Sequence, residues 1–383
     1  MYSTAYILLF LAYAAMAIVY RYVDEKAKTR LKIASVALFM LFFGFRGFVG
    51  DDWTNYYPCF DGMYDDSIVN MVAYIRETAD FEPGFMALLL ICKILVNDYH
   101  FFIFICCVIN CALLYRFLSK RVDNLPLAFL VFLSMSGTGI EINLLRNSIA
   151  LLICLNALEF IPKRKPLPYF GLCLLAMSMH LSSVIYIPLY FFLHRRMPRW
   201  VYISLFVGAT LFLLAQINFI GPIMLAVASR MGEIYVELVN NYIEGELANV
   251  QGFISIGLLE RLMTGILIIC YYDKLVNISK DNAMFINAFL LYFLSFALFR
   301  EFEVVSRRIA ILFVFCYWIL WCDFFKCFVY KGNRMLFAFF LFCYGVLKLH
   351  SMTNEPKSEY DNILFGAKSY EERYSIYMLT KDK

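Results

Sequence analysis

Charge is scarce in this chain: Asp, Glu, Lys and Arg make up 17% of its 383 residues, against about a quarter in soluble globules. That shortage, with 62% apolar residues and a mean hydropathy of +0.69, excludes a soluble globular domain and points to an integral membrane protein. None of the twelve cysteines stands in a Cys-x-x-Cys pair, and most lie inside apolar runs, where a thiol packs as a small hydrophobe. No metal site and no disulfide framework is expected from them. P-loop, dinucleotide-binding, Gly-x-Ser-x-Gly and zincin motifs are all missing, so no cofactor is expected. There is no repeat of fixed period and no low-complexity segment. The first apolar run lacks a basic leader and a small-x-small cleavage site, and reads as a retained span.

Apolar runs fall at about 5–20, 31–45, 84–97, 101–118, 125–139, 146–161, 168–193, 200–219, 253–272, 283–299, 307–325 and 334–349. Their lengths suit helices, not the roughly ten-residue alternating strands of a barrel. Lys and Arg concentrate in the linkers Arg21–Lys32, Arg116–Arg121, Lys163–Lys165, Arg195–Arg199, Lys274–Lys280 and Lys326–Arg334. These basic linkers are topology signals, not a nucleic-acid patch. Placing them all in the cytoplasm follows the positive-inside rule and has two consequences. The run 84–97 enters the bilayer without crossing, as a re-entrant or half helix. The run 168–193 becomes a short helical hairpin that returns to its own side, bent near Met179-His180-Leu181-Ser182-Ser183; the rival layout makes both runs simple spans and exposes Lys163-Arg164-Lys165 outside. The expected fold is an all-α polytopic membrane protein with about ten full spans plus those two elements. Residues 1–349 form a single membrane domain, and 350–383 a polar tail.

In that layout Arg46, Asp51, Asp52, Glu82, Glu141, Arg146, Arg300, Glu301, Arg307 and Arg308 all reach the outer membrane–water boundary, with His180 beside them. The outer loops are otherwise acidic, carrying Asp61, Asp65, Asp66, Glu77 and Asp80, then Glu233, Glu237, Glu244 and Glu246. A basic cluster on the side that should be poor in base asks for an anionic ligand. Asp51-Asp52 and Glu82, at the two ends of the first outer loop, can act as base, bind sugar hydroxyls or hold a divalent ion; adjacent acids are also ordinary loop solvation. Trp53, Tyr56 and Tyr57 can stack on sugar rings or belong to an interfacial belt. Arg146-Asn147-Ser148 opens an apolar helix, where a cation opposes the dipole and free N–H groups suit phosphate. Arg300, Arg307 and Arg308 flank a short outer turn, and some of them are expected to pair with Glu301 or Glu303. His180, one of four histidines and followed by Ser182-Ser183, is a candidate base near neutral pH.

With these residues placed, the chain resembles the EpsG family of Wzy-type polysaccharide polymerases. The matching pieces are Phe45-Arg46-Gly47-Phe48-Val49-Gly50-Asp51-Asp52 with Tyr56-Tyr57 and Phe60, Phe81-Glu82-Pro83-Gly84-Phe85, Leu145-Arg146-Asn147-Ser148-Ile149-Ala150, and Met179-His180-Leu181-Ser182-Ser183 leading to Ile187-Pro188. They occur in the family's order over roughly residues 40–190, while the second half is similar only in hydropathy and in the arginines near 300–308. Two departures stand out. Gly50-Asp51-Asp52 replaces a common Gly-Thr-Asp, with spacing favouring Asp52 as the matching acid, and Arg146-Asn147 replaces a common Arg-Gln.

The resemblance implies metal-independent glycosyl transfer between polyprenyl-diphosphate-linked oligosaccharide repeat units. The product would be a capsule, O-antigen or exopolysaccharide, made at the outer face of a bacterial cytoplasmic membrane. His180 is then the first candidate base, with Asp52 and Glu82 second. Arg46, Asp51, Tyr56, Tyr57, Arg146, Asn147, Ser182, Arg300, Arg307 and Arg308 are the candidate substrate-binding residues. The implied partners are the lipid-linked substrates and the bilayer, with a chain-length regulator as a further candidate and no nucleic acid. Two other classes stay open from sequence. One is a membrane glycosyltransferase using a polyprenyl-phosphate sugar donor; the other is a flippase for lipid-linked oligosaccharides, disfavoured by the one-sided charge and the lack of repeats.

Overall fold

The computed structural model describes residues 2–63, 67–216, 220–243 and 255–381; Asp65, Asp66, Glu244 and Glu246 lie outside them. The described residues form helices joined by turns and loops and contain no strand, with one isolated antiparallel bridge between Arg46 and Asn362. This is a helical membrane protein. Among the described residues, three helices are long and apolar enough to cross a bilayer by themselves: Tyr99–Ser119, Leu125–Asn143 and Lys331–Thr353. Glu303–Ile311 and Phe315–Cys327, bent by 60°, make a fourth if the pair is one span. Most other apolar runs fold as shorter helices, Pro83–Leu95 and Pro166–Met179 among them, because polar or extended residues interrupt them.

The chain forms two compact units, one of Met1–Phe191 with Tyr330–Lys383 and one of Phe192–Val329. The first is built around the helix Leu145–Ala157, which is buried at every position except Arg146 and Asn147 at its start. A helix apolar on all sides must be surrounded, and Tyr99–Ser119 and Pro166–Met179 pack against it. Asn110, fully buried, donates through Nδ2 to Glu141 Oε2 at 3.1 Å and Ser148 Oγ at 2.9 Å, which ties this core to the start of the central helix. Glu141, expected at a membrane–water boundary, is only 1% exposed and lies inside the protein.

The segment 166–192 folds as two short helices. His180 is extended (φ −159°, ψ 126°) and ends the first; a tight turn at Leu181–Ile185 leads into Tyr186–Phe192. The two pack side by side, with the Tyr169 hydroxyl donating to the Tyr186 carbonyl at 2.6 Å and the Tyr169 and Tyr190 rings 5.1 Å apart.

The second unit has an aromatic core in which Phe206 meets Phe289 and Phe293 at a tilt and Phe289 meets Tyr317 edge-on. Trp321 Nε1 donates to Thr264 Oγ1 at 3.2 Å, and buried Asp323 is held by Asn282 at 2.9 Å and Lys326 at 2.6 Å. All twelve cysteines are free.

Candidate active site

The site begins with three helix starts whose backbone donors have no partner within their own helix. Leu144 leaves helical geometry (φ −137°, ψ 45°), so the chain breaks between Thr138–Asn143 and Leu145–Ala157. The freed Leu145 N–H is taken by Asp52 Oδ2 at 2.9 Å, a carboxylate cap supplied from 93 residues away. Asp52 is placed there by the turn at Gly50 (φ +85°), where a side chain would also strike Asn143 Oδ1. That same oxygen accepts the Asp51 N–H at 2.9 Å.

Pro83 opens the second helix, Pro83–Leu95, and Glu82 precedes it in an extended conformation. The Glu82 carboxylate does not cap its own helix. Its Oε1 accepts the Leu181 N–H at 2.9 Å and meets His180 Nδ1 at 2.7 Å; its Oε2 meets Arg146 Nη1 at 2.7 Å. Gly84 permits this approach, since a Cβ there would strike Ser178 Oγ and lie 2.8 Å from the Ser178 carbonyl oxygen.

Arg146 is further fixed by Nε donating to the Tyr56 hydroxyl at 3.1 Å and Nη1 to the Asp80 carbonyl at 3.1 Å. Its guanidinium carbon sits 5.0 Å from the Phe81 ring centre, with Phe85 and Tyr56 at 5.9 and 6.0 Å. Rings on several sides strengthen a cation's interactions by excluding water. Next to it, Asn147 Oδ1 accepts from Ser182 Oγ at 3.3 Å. Among the described residues, Arg146 Nη2, His180 Nε2 and Asp52 Oδ1 have no hydrogen-bond partner.

The two carboxyls behave oppositely. Burial raises Asp52 to about 6, with Asp51 adding to it and the Leu145 N–H, Arg46 and Arg146 opposing. Burial also pushes Glu82 up, but the Leu181 N–H, His180 and Arg146 outweigh it and hold its carboxyl below the usual range. An ionised Glu82 accepting from His180 fixes the imidazole proton on Nδ1 and leaves Nε2 as the basic nitrogen.

A family model described as EpsG family matches residues 29–364. The chain belongs to the EpsG family. EpsG-family proteins are membrane proteins resembling the Wzy-type polysaccharide polymerases. No curated protein and no solved structure matches the chain. The span matched by the EpsG family covers every residue of the constellation just described, from Arg46 to Ser182.

Of the residues expected from sequence, Asp51, Asp52, Tyr56, Glu82, Arg146, Asn147, His180 and Ser182 come together around these helix starts. Arg46 lies beneath them, 4% exposed, donating to the Phe43 carbonyl at 2.6 Å. Its charge acts on Asp52 from within the protein. Tyr57 turns elsewhere: its ring stacks on Tyr370 at 4.5 Å and meets Phe48 edge-on. Arg300, Arg307 and Arg308 belong to the other compact unit. There Arg307 pairs with Glu303, Glu301 accepts the N–H groups of Ile220 and Gly221, and Arg308 is exposed. Sequence reasoning missed Asp80, whose contribution is a backbone carbonyl, and Lys357, which pairs with Asp51 at 3.2 Å. Lys357 sits in the polar tail and carries no local signal of that contact.

Proposed function

We propose that this chain polymerises polyprenyl-diphosphate-linked oligosaccharide repeat units into a surface polysaccharide at the outer face of a bacterial cytoplasmic membrane. The observation that carries the reading is the Arg146–Glu82–His180 array: one carboxylate orients a base and fixes a cation on its two oxygens. Glycosyl transfer from a diphosphate needs both. A sugar hydroxyl of the incoming unit attacks the anomeric carbon of the growing chain and gives its proton to His180 Nε2. The new carbon–oxygen bond forms as the bond to the diphosphate oxygen breaks. The negative charge gathering on the departing diphosphate is met by the outer edge of Arg146, in a setting where rings exclude water. Asn147 and Ser182 are positioned to bind hydroxyls or phosphate oxygens beside it. Asp52 contributes a second carboxylate that titrates near the working range.

The topology that suits this reaction has both termini outside and about ten crossings. Pro83–Leu95 enters to half depth from the outer side, and 166–192 is a hairpin that enters from and returns to the cytoplasmic side, with its turn at His180 toward the outer boundary. The side-by-side packing of Tyr169 with Tyr186 and Tyr190 supports the hairpin. Two shallow elements side by side would admit a lipid-linked substrate laterally. Arg300, Arg307 and Arg308 are reserved in this reading for a second anionic group, and a chain-length regulator is a further candidate partner.

The test is incubation of the purified protein with lipid-linked repeat units and no nucleotide sugar, followed by separation of products. A ladder rising by whole repeats is the expected result. Addition of single sugars from a polyprenyl-phosphate donor, or transfer of the lipid between leaflets without new bonds, would overturn the proposal.

A further inference from the structure

The polar segment after the last long helix is built into the first unit. Gly47 N–H donates to the Asp361 carbonyl at 3.1 Å, Ile363 N–H to Phe45 at 2.9 Å, and Gly50 N–H to Lys357 at 2.9 Å. The Tyr360 ring stacks on Phe42 at 4.1 Å, and Asn362 Nδ2 donates to the Leu41 carbonyl at 2.9 Å. Arg373, only 2% exposed, is held by Asp361 at 2.9 Å. A segment needed only for solubility does not bury an arginine or share backbone hydrogen bonds with a loop some 310 residues earlier. The loop it pairs with is the one that carries Arg46, Asp51 and Asp52. Lys357 sits at the end of this pairing, with Nζ 3.2 Å from Asp51 Oδ2 and 3.4 Å from Glu355.

We propose that Glu355–Lys368 is part of the reaction site and that Lys357 is a positioning residue. By pairing with Asp51 it fixes the Gly50–Asp52 turn and limits the negative field on Asp52. The inference rests on the reading that Asp52 works in the site. The groups that act on Asp52 are Asp51, Arg46 and Tyr56 from its own segment, Tyr99 from the helix Tyr99–Ser119, and Arg146 with the Leu145 N–H from the central helix. Lys357 reaches it through Asp51. Removing the ammonium leaves Asp51 uncompensated beside Asp52, and a neighbouring anion disfavours ionisation. The titration of Asp52 therefore moves up, on the order of half a pH unit.

The experiment compares full-length Lys357→Met, Lys357→Arg and Asp51→Asn with the unaltered protein. One readout is the infrared band of protonated Asp52, identified by its loss in Asp52→Asn and followed against pH. The other is the pH profile of chain growth, with KM and kcat separated. Lys357→Met is expected to move both the band and the acid limb upward, with KM for the lipid-linked unit within about twofold. Lys357→Arg should superimpose on the unaltered protein, and Lys357→Met should shift nothing when Asp51→Asn is also present. If Lys357→Met does not fold, Asp51→Asn alone should move the band downward. An unmoved band, or a rate lowered equally at every pH, overturns the inference. A shifted band in a protein that builds no ladder keeps the inference and overturns the polymerase reading.

Discussion

Glu82 and His180, 98 residues apart in sequence, meet at 2.7 Å between a carboxylate oxygen and Nδ1 of the imidazole. The same oxygen caps the turn that begins at Leu181, and the other oxygen holds Arg146. In the proposed reaction, base and cation are therefore not independent parts of the site. One carboxylate, itself locked between two helix ends, sets the tautomer of the first and the position of the second.

Glu82→Ala removes that common support. It is expected to lower the turnover of chain growth by about ten- to a hundredfold, the usual cost of losing an orienting carboxylate. Glu82→Gln keeps an acceptor for the Leu181 N–H and His180 but loses the ion pair with Arg146, so its loss should be smaller. Steady-state kinetics on both variants check this; equal, wild-type-like rates would show that the carboxylate supports nothing.

Asp52 lies above its ordinary range, at about 6, because burial disfavours its charge. The folded protein thus binds this proton more tightly than the unfolded chain does. Ionised Asp52 costs stability above pH about 6, and that cost fades as pH falls through the window from about 6 to 3.8. Asp52→Asn, which can still accept from the Leu145 N–H, should raise the melting temperature at pH 7.5 and give little difference near pH 4. Melting curves in detergent across pH read the sign directly; a lower melting temperature for Asp52→Asn at pH 7.5 would contradict it.

Gly84 is a point of close approach between two short helices. A methyl group there would approach the Ser178 backbone oxygen to 2.8 Å, so Gly84→Ala must separate the Pro83–Leu95 helix from the end of Pro166–Met179. The expected cost is about 1–3 kcal/mol, with a loss of activity beyond it because Glu82 and His180 move apart. Adding Ser178→Ala relieves the side-chain contact but not the backbone one, so it should restore only part of the melting temperature. Full recovery would place the strain in the Ser178 hydroxyl alone.

The helical membrane class was legible from hydropathy and charge spacing, since apolar runs and basic linkers are local properties. So were Glu82, Arg146 and His180, each an ionisable or polar residue next to an apolar run, where nothing but a partner offsets its desolvation. What was not legible depends on contacts between distant segments. The Tyr57 sequence looks like a sugar-stacking surface, yet its ring lies against Tyr370. The segment carrying Lys357, Asp361 and Arg373 has the composition of a solvated tail, and its backbone pairing with Phe45–Gly50 leaves no trace in either stretch alone. Apolar runs also overstated helix length: the run 307–325 is broken between Ile311 and Phe315 and bent by 60°, which its hydropathy does not reveal.

The central claim is that His180, oriented by Glu82, takes the proton during chain growth. Its most direct test is the single-turnover rate of joining two lipid-linked repeat units by His180→Ala, with substrate binding measured in parallel. The joining rate is expected to fall about a hundredfold or more, with binding of the lipid-linked unit nearly unchanged. A His180→Ala protein that binds the substrate and extends it at close to the unaltered rate would contradict the account.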